Sequence, residues 1–164
     1  AVVFAGIEGS RPVLVEIEAL VAPSTLASPR RNVVGWDGSR LAMLTAVLEA
    51  RCGVPLSGRD IFLNVAGGLK ISETAADLAV AAALISSVSG RPAPPRSVFF
   101  GEVALSAELR QVAQADARLK EAAKLGFDMA VMPKPRKKLG APSGLSIAQP
   151  STLAELIEIM GGVT

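Results

Sequence analysis

The residues best suited to chemistry lie in the stretch from Asn64 to Val80, which reads NVAGGLKISETAADLAV. A glycine pair is followed by Lys70, by the hydroxyls of Ser72 and Thr74, and then by an alanine-rich run. A strand–glycine–helix junction presents backbone N–H groups and the amino terminus of a helix, which together attract anions. A lysine near a serine could also serve as the base of a Ser-Lys nucleophile. The stretch therefore indicates either a phosphate contact or nucleophilic catalysis.

The plainer interpretation of the two hydroxyls is helix capping. A Ser or Thr at the start of a helix accepts a hydrogen bond from a free backbone N–H group. We expect Ser72 or Thr74 to cap a helix that runs from about Thr74 to Val88, with Thr74 and Asp77 forming a variant capping box. A lysine acts as a base only where burial favours its neutral form, and Lys70 follows an open turn. Capping is therefore favoured over catalysis.

The composition excludes several kinds of active site. The chain has 164 residues and no histidine, which rules out Ser-His-Asp and Cys-His catalysis and the usual zinc sites. Its one cysteine, Cys52, excludes an internal disulfide and fits a reducing compartment, so we expect a cytoplasmic protein. A net charge of +2 is weak evidence for a polyanionic partner. No apolar run reaches the roughly 18 residues that span a bilayer, so no membrane contact is expected.

Hydrophobic periodicity predicts the elements that must position the junction. The apolar run 2–7 is typical of a strand, and residues 13–21 alternate in the manner of its hairpin partner. A helix is expected to begin at Asp37 or Ser39 and to end at Gly53. The helix after the junction is apolar on nearly all sides, which is typical of a helix buried between layers. Strands first, then alternating helices and strands, predict a single two-layer α/β domain over residues 1–164.

Several separate motifs follow one another along the chain: GWDGSRL (35–41) with AVLE (46–49), VAGGLKISET (65–74), FGEVAL (100–105), RLKEAAKLG (118–126) and AVMP (130–133). In this order they resemble the proteolytic domain of the Lon proteases. They resemble more closely the Lon-like carboxy-terminal domain of the RadA (Sms) family of bacterial DNA repair and recombination ATPases. The resemblance covers essentially the whole chain. It implies the fold of the Lon proteolytic domain, which is of the ribosomal protein S5 domain 2-like type.

Lon proteases use a Ser-Lys dyad, and the resemblance places both of its positions. The serine of the Lon motif Pro-Ser-Ala-Gly falls on Ala75, and the lysine falls on Asp116 when the segment after Glu102 is aligned without gaps. A methyl group cannot attack a carbonyl, and a carboxylate stands where the lysine would be. The resemblance therefore implies the fold without peptidase activity, and no catalytic residue is expected. An active Ser-Lys peptidase of the Lon class is the alternative.

The resemblance also implies contact with DNA, because RadA-like proteins form hexameric rings that thread DNA. Sequence-independent binding needs Lys and Arg side chains that neutralise phosphates, and the scarcity of aromatic residues argues against base stacking. The residues favoured for the channel are Lys70, Arg110, Arg30 and Arg40, with Arg118 next. Arg40 opens a helix, where the dipole is positive, so pairing with Asp37 or Glu73 is its alternative role. The basic loop from Lys134 to Lys138 is expected to be a tether or an outer patch.

The chain begins without an initiator methionine and contains no Gly-x-x-x-x-Gly-Lys-Ser/Thr motif. We therefore expect a fragment that binds no cofactor and is not itself an enzyme. By resemblance, a DNA-dependent ATPase that drives branch migration and a zinc finger would lie in a missing amino-terminal part, with their ATP, Mg and Zn. The implied partners are DNA, further copies in a homo-hexamer, and a recombinase filament through the full-length protein. A pure oligomerisation module without DNA contact is a further alternative.

Overall fold

A seven-stranded sheet runs through the computed structural model, which describes residues 1–135 and 139–163. Its strands are ordered β3-β4-β2-β1-β5-β8-β9, and β6 and β7 form a separate two-stranded sheet. The strands are β1 Val2–Glu8, β2 Arg11–Pro23, β3 Arg31–Val34, β4 Arg59–Val65, β5 Ser97–Phe99, β6 Glu102–Val103, β7 Leu109–Arg110, β8 Met129–Val131 and β9 Ser146–Ala148. The helices are α1 Gly38–Cys52, α2 Asp77–Ser89, α3 Ala115–Lys124 and α4 Leu153–Ile159.

The central sheet is mixed, and most of its strand pairs are parallel. The predicted hairpin is confirmed, since β1 and β2 pair antiparallel from Val2–Ile17 to Glu8–Arg11. Strand β2 then pairs antiparallel with β4. The remaining pairs, β1–β5, β3–β4, β5–β8 and β8–β9, are parallel. This arrangement confirms the α/β class.

Helix α2 is the buried element that the sequence predicts. All nine residues from Asp77 to Ile85 are buried. The helix contacts β1 and β2 of the sheet and also α1 and α4, so apolar side chains are required around most of its circumference. The start and end predicted for α1 are confirmed as well: the Asp37 carboxylate accepts from the Ser39 N–H (2.8 Å), and Gly53 is left-handed. In the part of the chain that the structure describes, no helix is both long and apolar enough to cross a membrane.

The predicted side-chain cap of α2 is wrong. A single 3-10 turn, Thr74–Ala76, precedes the helix, and no side chain makes a capping hydrogen bond at either start. Instead, the Leu78 N–H donates to the carbonyl of Gly101 (3.0 Å), which directly precedes β6. The Asp77 carboxylate is engaged elsewhere, with Arg40 and the Val103 N–H. A backbone carbonyl from a distant part of the chain therefore replaces the local side-chain cap. The residues around the start of α2 do not predict such an acceptor.

Candidate functional site

The glycine junction leads from β4 into an extended segment that carries Lys70. Gly67 and Gly68 both adopt positive φ, 75° and 69°, a conformation that glycine reaches without strain. The next segment is held by the Ile71 N–H, which donates to the Gly35 carbonyl at 2.8 Å. A Cβ on Gly35 would lie 2.5 Å from the Leu69 carbonyl oxygen, so only glycine permits this approach. Lys70 itself is exposed.

The carboxylate of Glu73 joins this segment to β1 and to α3. Its Oε2 accepts from the Ile7 N–H at 2.6 Å, and its Oε1 accepts from Arg118 Nη2 at 2.7 Å. Arg118 is 3 % exposed and also donates to the carbonyls of Ala5 (2.8 Å) and Ala113 (3.1 Å). Its guanidinium lies 5.5 Å from the Phe100 ring centroid. All three guanidinium nitrogens of Arg118 are therefore engaged inside the fold.

A second ion pair joins α1 to α2. Arg40 Nε donates to Asp77 Oδ1 at 2.8 Å, and Arg40 Nη2 donates to Oδ2, which also accepts from the Val103 N–H at 3.0 Å. Asp77 is fully buried, whereas the Arg40 side chain is 27 % exposed. Burial raises the pKa of Asp77, and the hydrogen bonds from Arg40 and Val103 oppose that rise. Because only donors point at its oxygens, we assign Asp77 the carboxylate form.

This pairing corrects the expected partners of Arg40. Neither Asp37 nor Glu73 pairs with it; Asp37 caps α1, and Glu73 pairs with Arg118. The hydrogen bond to Asp77 raises the pKa of Arg40 further above its ordinary value. The exposed quarter of its side chain lies along the cleft described below.

The two positions that the resemblance assigns to a dyad carry no nucleophile and no amine. Ala75 is 2 % exposed, and its carbonyl accepts from the Gly101 N–H at 2.8 Å. Asp116 is exposed in the first turn of α3. Within residues 1–135 and 139–163, no group of three or more His, Cys, Asp or Glu side chains could hold a metal ion.

Arg110 lies where two open clefts meet. One, of about 680 Å³, is lined by Arg110, Gln111, Lys134 and Glu102, among others. The other, of about 560 Å³, is lined by Arg40, Arg110, Glu102 and neighbouring apolar residues. The structure thus brings the predicted Arg40 and Arg110 together and adds Lys134. Glu102 places one negative charge between them.

Arg30 lies at the other end of β4 from the junction. Asp60, near the start of β4, accepts from the Arg30 N–H (2.7 Å) and from Arg30 Nε (3.2 Å) and Nη2 (2.9 Å). The guanidinium also lies 5.7 Å from the Phe62 ring centroid, and the Arg30 side chain remains 56 % exposed. Lys70 follows the opposite end of the strand. At ~3.3 Å per residue, the five steps from Asp60 to Val65 alone span ~17 Å.

Two arginines beside Arg30 were not among the predicted site residues. Arg31 donates to the carbonyls of Arg59 and Leu56, so its guanidinium is fixed next to the start of β4. Strands β3 and β4 are parallel, which places the basic residues at their starts side by side. The adjacent Arg30 and Arg31 in the sequence indicate a basic cluster, whereas Arg59 becomes their neighbour only through this strand pairing.

The candidate cations with solvent-accessible side chains therefore form three separate groups, in which Arg40 and Arg59 are only partly exposed. We call them the junction group (Lys70), the cleft group (Arg40, Arg110 and Lys134) and the strand-start group (Arg30, Arg31 and Arg59). Arg118 belongs to none of them, because it is buried. The remaining basic residues of the predicted loop, Arg136, Lys137 and Lys138, lie outside the described residues.

The Arg30–Asp60 contact predicts a dependence of stability on pH. The hydrogen bonds from the Arg30 backbone and side chain lower the pKa of Asp60 below its ordinary value. An unfolded chain then binds more protons than the folded one, so stability falls as pH drops. We expect the wild type to be more stable than Asp60→Asn near pH 7, and the difference to shrink progressively as pH falls below the ordinary pKa of an aspartate and through the lowered one.

Thermal denaturation of both proteins at a series of pH values measures this difference. Asparagine keeps a carbonyl oxygen for the Arg30 N–H but places an NH2 donor where Oδ2 accepts from the guanidinium, so the comparison measures the loss of the ion pair with its hydrogen bonds. An equal difference in melting temperature at neutral and at acid pH would contradict the assigned role of Asp60.

Comparisons with known proteins give two findings. Residues 39–136 match the family model described as subunit ChlI of Mg-chelatase. The chain is also 57 % identical over 157 residues to DNA repair protein RadA of Brucella abortus, which covers 96 % of this chain and 34 % of that protein. It is 54 % identical over 132 residues to RadA of Rickettsia felis (80 % and 30 % covered), and 48 % identical over 160 residues to RadA of Pseudomonas aeruginosa (98 % and 35 %). The chain thus spans about a third of the length of these curated relatives, and they support its assignment to a segment of a RadA-type protein.

Proposed function

This chain belongs to the family described as subunit ChlI of Mg-chelatase, and we propose that it is a non-proteolytic domain that binds the phosphate backbone of DNA within a RadA-type repair protein. The name of the relatives, DNA repair protein RadA, motivates the choice of ligand. The observation that carries the proposal is the grouping of cations whose side chains are wholly or partly exposed. Arg110 and Arg40 share a cleft with Lys134 beside it, while Lys70 is exposed just after the glycine turn.

The chemistry of these groups suits phosphate rather than bases. Lysine and arginine neutralise phosphates without reading sequence. Only six residues of the chain are aromatic, five Phe and one Trp, and Phe4, Phe99 and Phe100 are buried. A platform of stacked bases, as in many single-strand binders, would need exposed aromatic faces. We therefore propose binding of double-stranded and single-stranded DNA through the backbone, with little sequence preference.

The assembly and the rest of the protein are also part of this proposal. The domain would have the fold of the Lon proteolytic domain and would help to build a homo-hexameric ring around DNA. The ATPase that drives branch migration in recombination, with its ATP and Mg, and a zinc finger would belong to other parts of the full-length protein. Contact with a recombinase filament and a location in the cytoplasm would follow from the same role.

The test is a fluorescence anisotropy titration of this chain with duplex and single-stranded DNA of several sequences, between about 50 and 200 mM salt. We expect affinity to fall linearly with the logarithm of salt concentration and to vary little with sequence. Light scattering of the same samples reports the oligomeric state. Absence of DNA binding at low salt, together with a defined oligomer, would favour the pure oligomerisation module instead.

The peptidase alternative makes a different prediction. An active Ser-Lys enzyme would be labelled by a fluorophosphonate probe and would cleave a fluorogenic peptide. The methyl group of Ala75 and its burial argue against both. Labelling of the unmodified chain at a serine, with loss of peptide cleavage, would overturn the proposal of a non-proteolytic domain.

A further inference from the structure

Two ion pairs flank Ala75 on either side along the chain. Glu73 pairs with Arg118 of α3, and Asp77 pairs with Arg40 of α1. Both acids belong to the segment that leads from the junction into α2. Partners from distant parts of the sequence therefore fix this segment at two points.

The Glu73 pair bears directly on the junction. Segment 69–73 is extended at Leu69 and at Glu73 and is attached at Ile71 to the Gly35 carbonyl. Glu73 provides the next attachment, because its two oxygens hold the Ile7 N–H of β1 and the buried Arg118. Lys70 and Glu73 line the same small pocket, of about 120 Å³, against β1. Glu73 therefore attaches the same segment that carries Lys70, three residues further along the chain.

We propose that Glu73 is a positioning residue for the contact between Lys70 and a DNA phosphate, an inference that rests on the proposed function. Glu73 does not touch the phosphate. It holds the extended segment against β1 and α3, and this attachment fixes the direction in which Lys70 extends from the segment. Arg118 acts with it as the buried partner of the same carboxylate.

The direction in which Glu73→Gln changes DNA affinity distinguishes a positioning role from a purely electrostatic one. Glu73→Gln removes a negative charge near Lys70, so charge alone predicts tighter binding of DNA. The two donors use different oxygens of the carboxylate, and glutamine places an NH2 donor where one of those oxygens accepts, so the attachment at that oxygen is disrupted. Positioning therefore predicts weaker binding by the less negative protein.

The experiment measures the affinity for duplex DNA of the wild type, Glu73→Gln, Lys70→Ala and the double variant. We expect Glu73→Gln to bind about fivefold more weakly than the wild type. In the Lys70→Ala background the same change should leave affinity unchanged or raise it, because there is no Lys70 side chain left to position and only the loss of negative charge remains. Tighter binding by Glu73→Gln, or an equal loss in both backgrounds, overturns the inference.

Two control variants complete the design. Glu8→Gln removes an exposed acid that lines the same pocket, and it is expected to leave affinity unchanged or to raise it. Leu156→Ala truncates a fully buried side chain of α4, so it should lower the melting temperature without changing affinity. Weaker binding by Leu156→Ala would attribute the Glu73 effect to general destabilisation and overturn the inference.

Failure of the inference can be distinguished from failure of the proposed function. If the wild type does not bind DNA, the proposed function fails and the inference fails with it. If the wild type binds and Lys70→Ala weakens binding, but Glu73→Gln strengthens it, only the inference fails.

Discussion

Replacing Lys70 and Arg110 together by alanine is expected to weaken binding of duplex DNA about a hundredfold, since a hydrogen bond to a charged group is worth ~1.5 kcal/mol or more and each such loss is about tenfold. The two residues represent the junction group and the cleft group, and both are exposed. If each contacts one phosphate, the slope of log affinity against log salt should become less steep by about 1.8. Anisotropy titrations at four or more salt concentrations measure both quantities.

A matched control tests whether position or net charge matters. Lys120 and Lys124 are exposed cations on α3 that belong to none of the three groups. Their double alanine variant removes the same charge, and we expect it to retain affinity and salt slope within about twofold. Equal losses in the two double variants would mean that binding is governed by total charge. An unchanged affinity in Lys70→Ala/Arg110→Ala would remove these groups from the interface.

The sequence was informative wherever a local pattern determines a local structure. An apolar run followed by an alternating one predicts the β1–β2 hairpin, and Asp37 and Gly53 mark the ends of α1. The apolar circumference of α2 predicts its burial. In each case the residues that carry the signal are neighbours in sequence or lie within one periodic pattern, so no knowledge of distant partners is required.

The partners of the buried ion pairs could not be predicted from the sequence, because they lie far apart along the chain. Arg40 pairs with Asp77, which lies 37 positions away, although Asp37 is much nearer in sequence. Arg118 reaches Glu73 across 45 positions and Ala5 across 113. In the sequence, a basic residue at the end of a helix or strand suggests a phosphate contact. It does so equally when its side chain is exposed to solvent and when it is paired with an acid inside the fold. Only the folded structure separates Lys70 and Arg110, which are exposed, from Arg118, which is buried.

The grouping of the candidate cations on the surface also depends on contacts between residues that are distant in sequence. The five predicted cations are not one patch: Arg30 lies beside the start of β4, Lys70 beyond its end, and Arg110 on β7 where the two clefts meet. Strand pairing added Arg59 to Arg30, and cleft geometry added Lys134 to Arg110. A DNA backbone that follows this surface would have to meet separate groups of charge, so the groups should contribute independently to affinity.

Replacing Arg40 by alanine is expected to destabilise the fold by about 3–5 kcal/mol at neutral pH, because it leaves a buried charge without its partner. Asp77 is fully buried, whereas Arg40 is 27 % exposed. In Asp77→Ala the remaining guanidinium can turn towards water, so that variant should lose less stability than Arg40→Ala. Urea denaturation of the two variants measures this difference, and equal losses would contradict it.

The loss in Arg40→Ala should also depend on pH. Burial raises the pKa of Asp77, and the hydrogen bond from Arg40 is the strongest influence that opposes the rise. Without Arg40 the folded-state pKa rises further above the unfolded value, so the folded protein binds the extra proton and regains stability as pH falls. The deficit relative to the wild type should therefore shrink at acid pH and grow as pH rises through the raised pKa.

Arg40→Ala/Asp77→Asn, which keeps an acceptor oxygen for the Val103 N–H, should recover most of the lost stability at neutral pH. A deficit that is constant with pH, or a double variant as unstable as Arg40→Ala, would show that lost side-chain packing rather than an unpaired Asp77 carboxylate causes the effect.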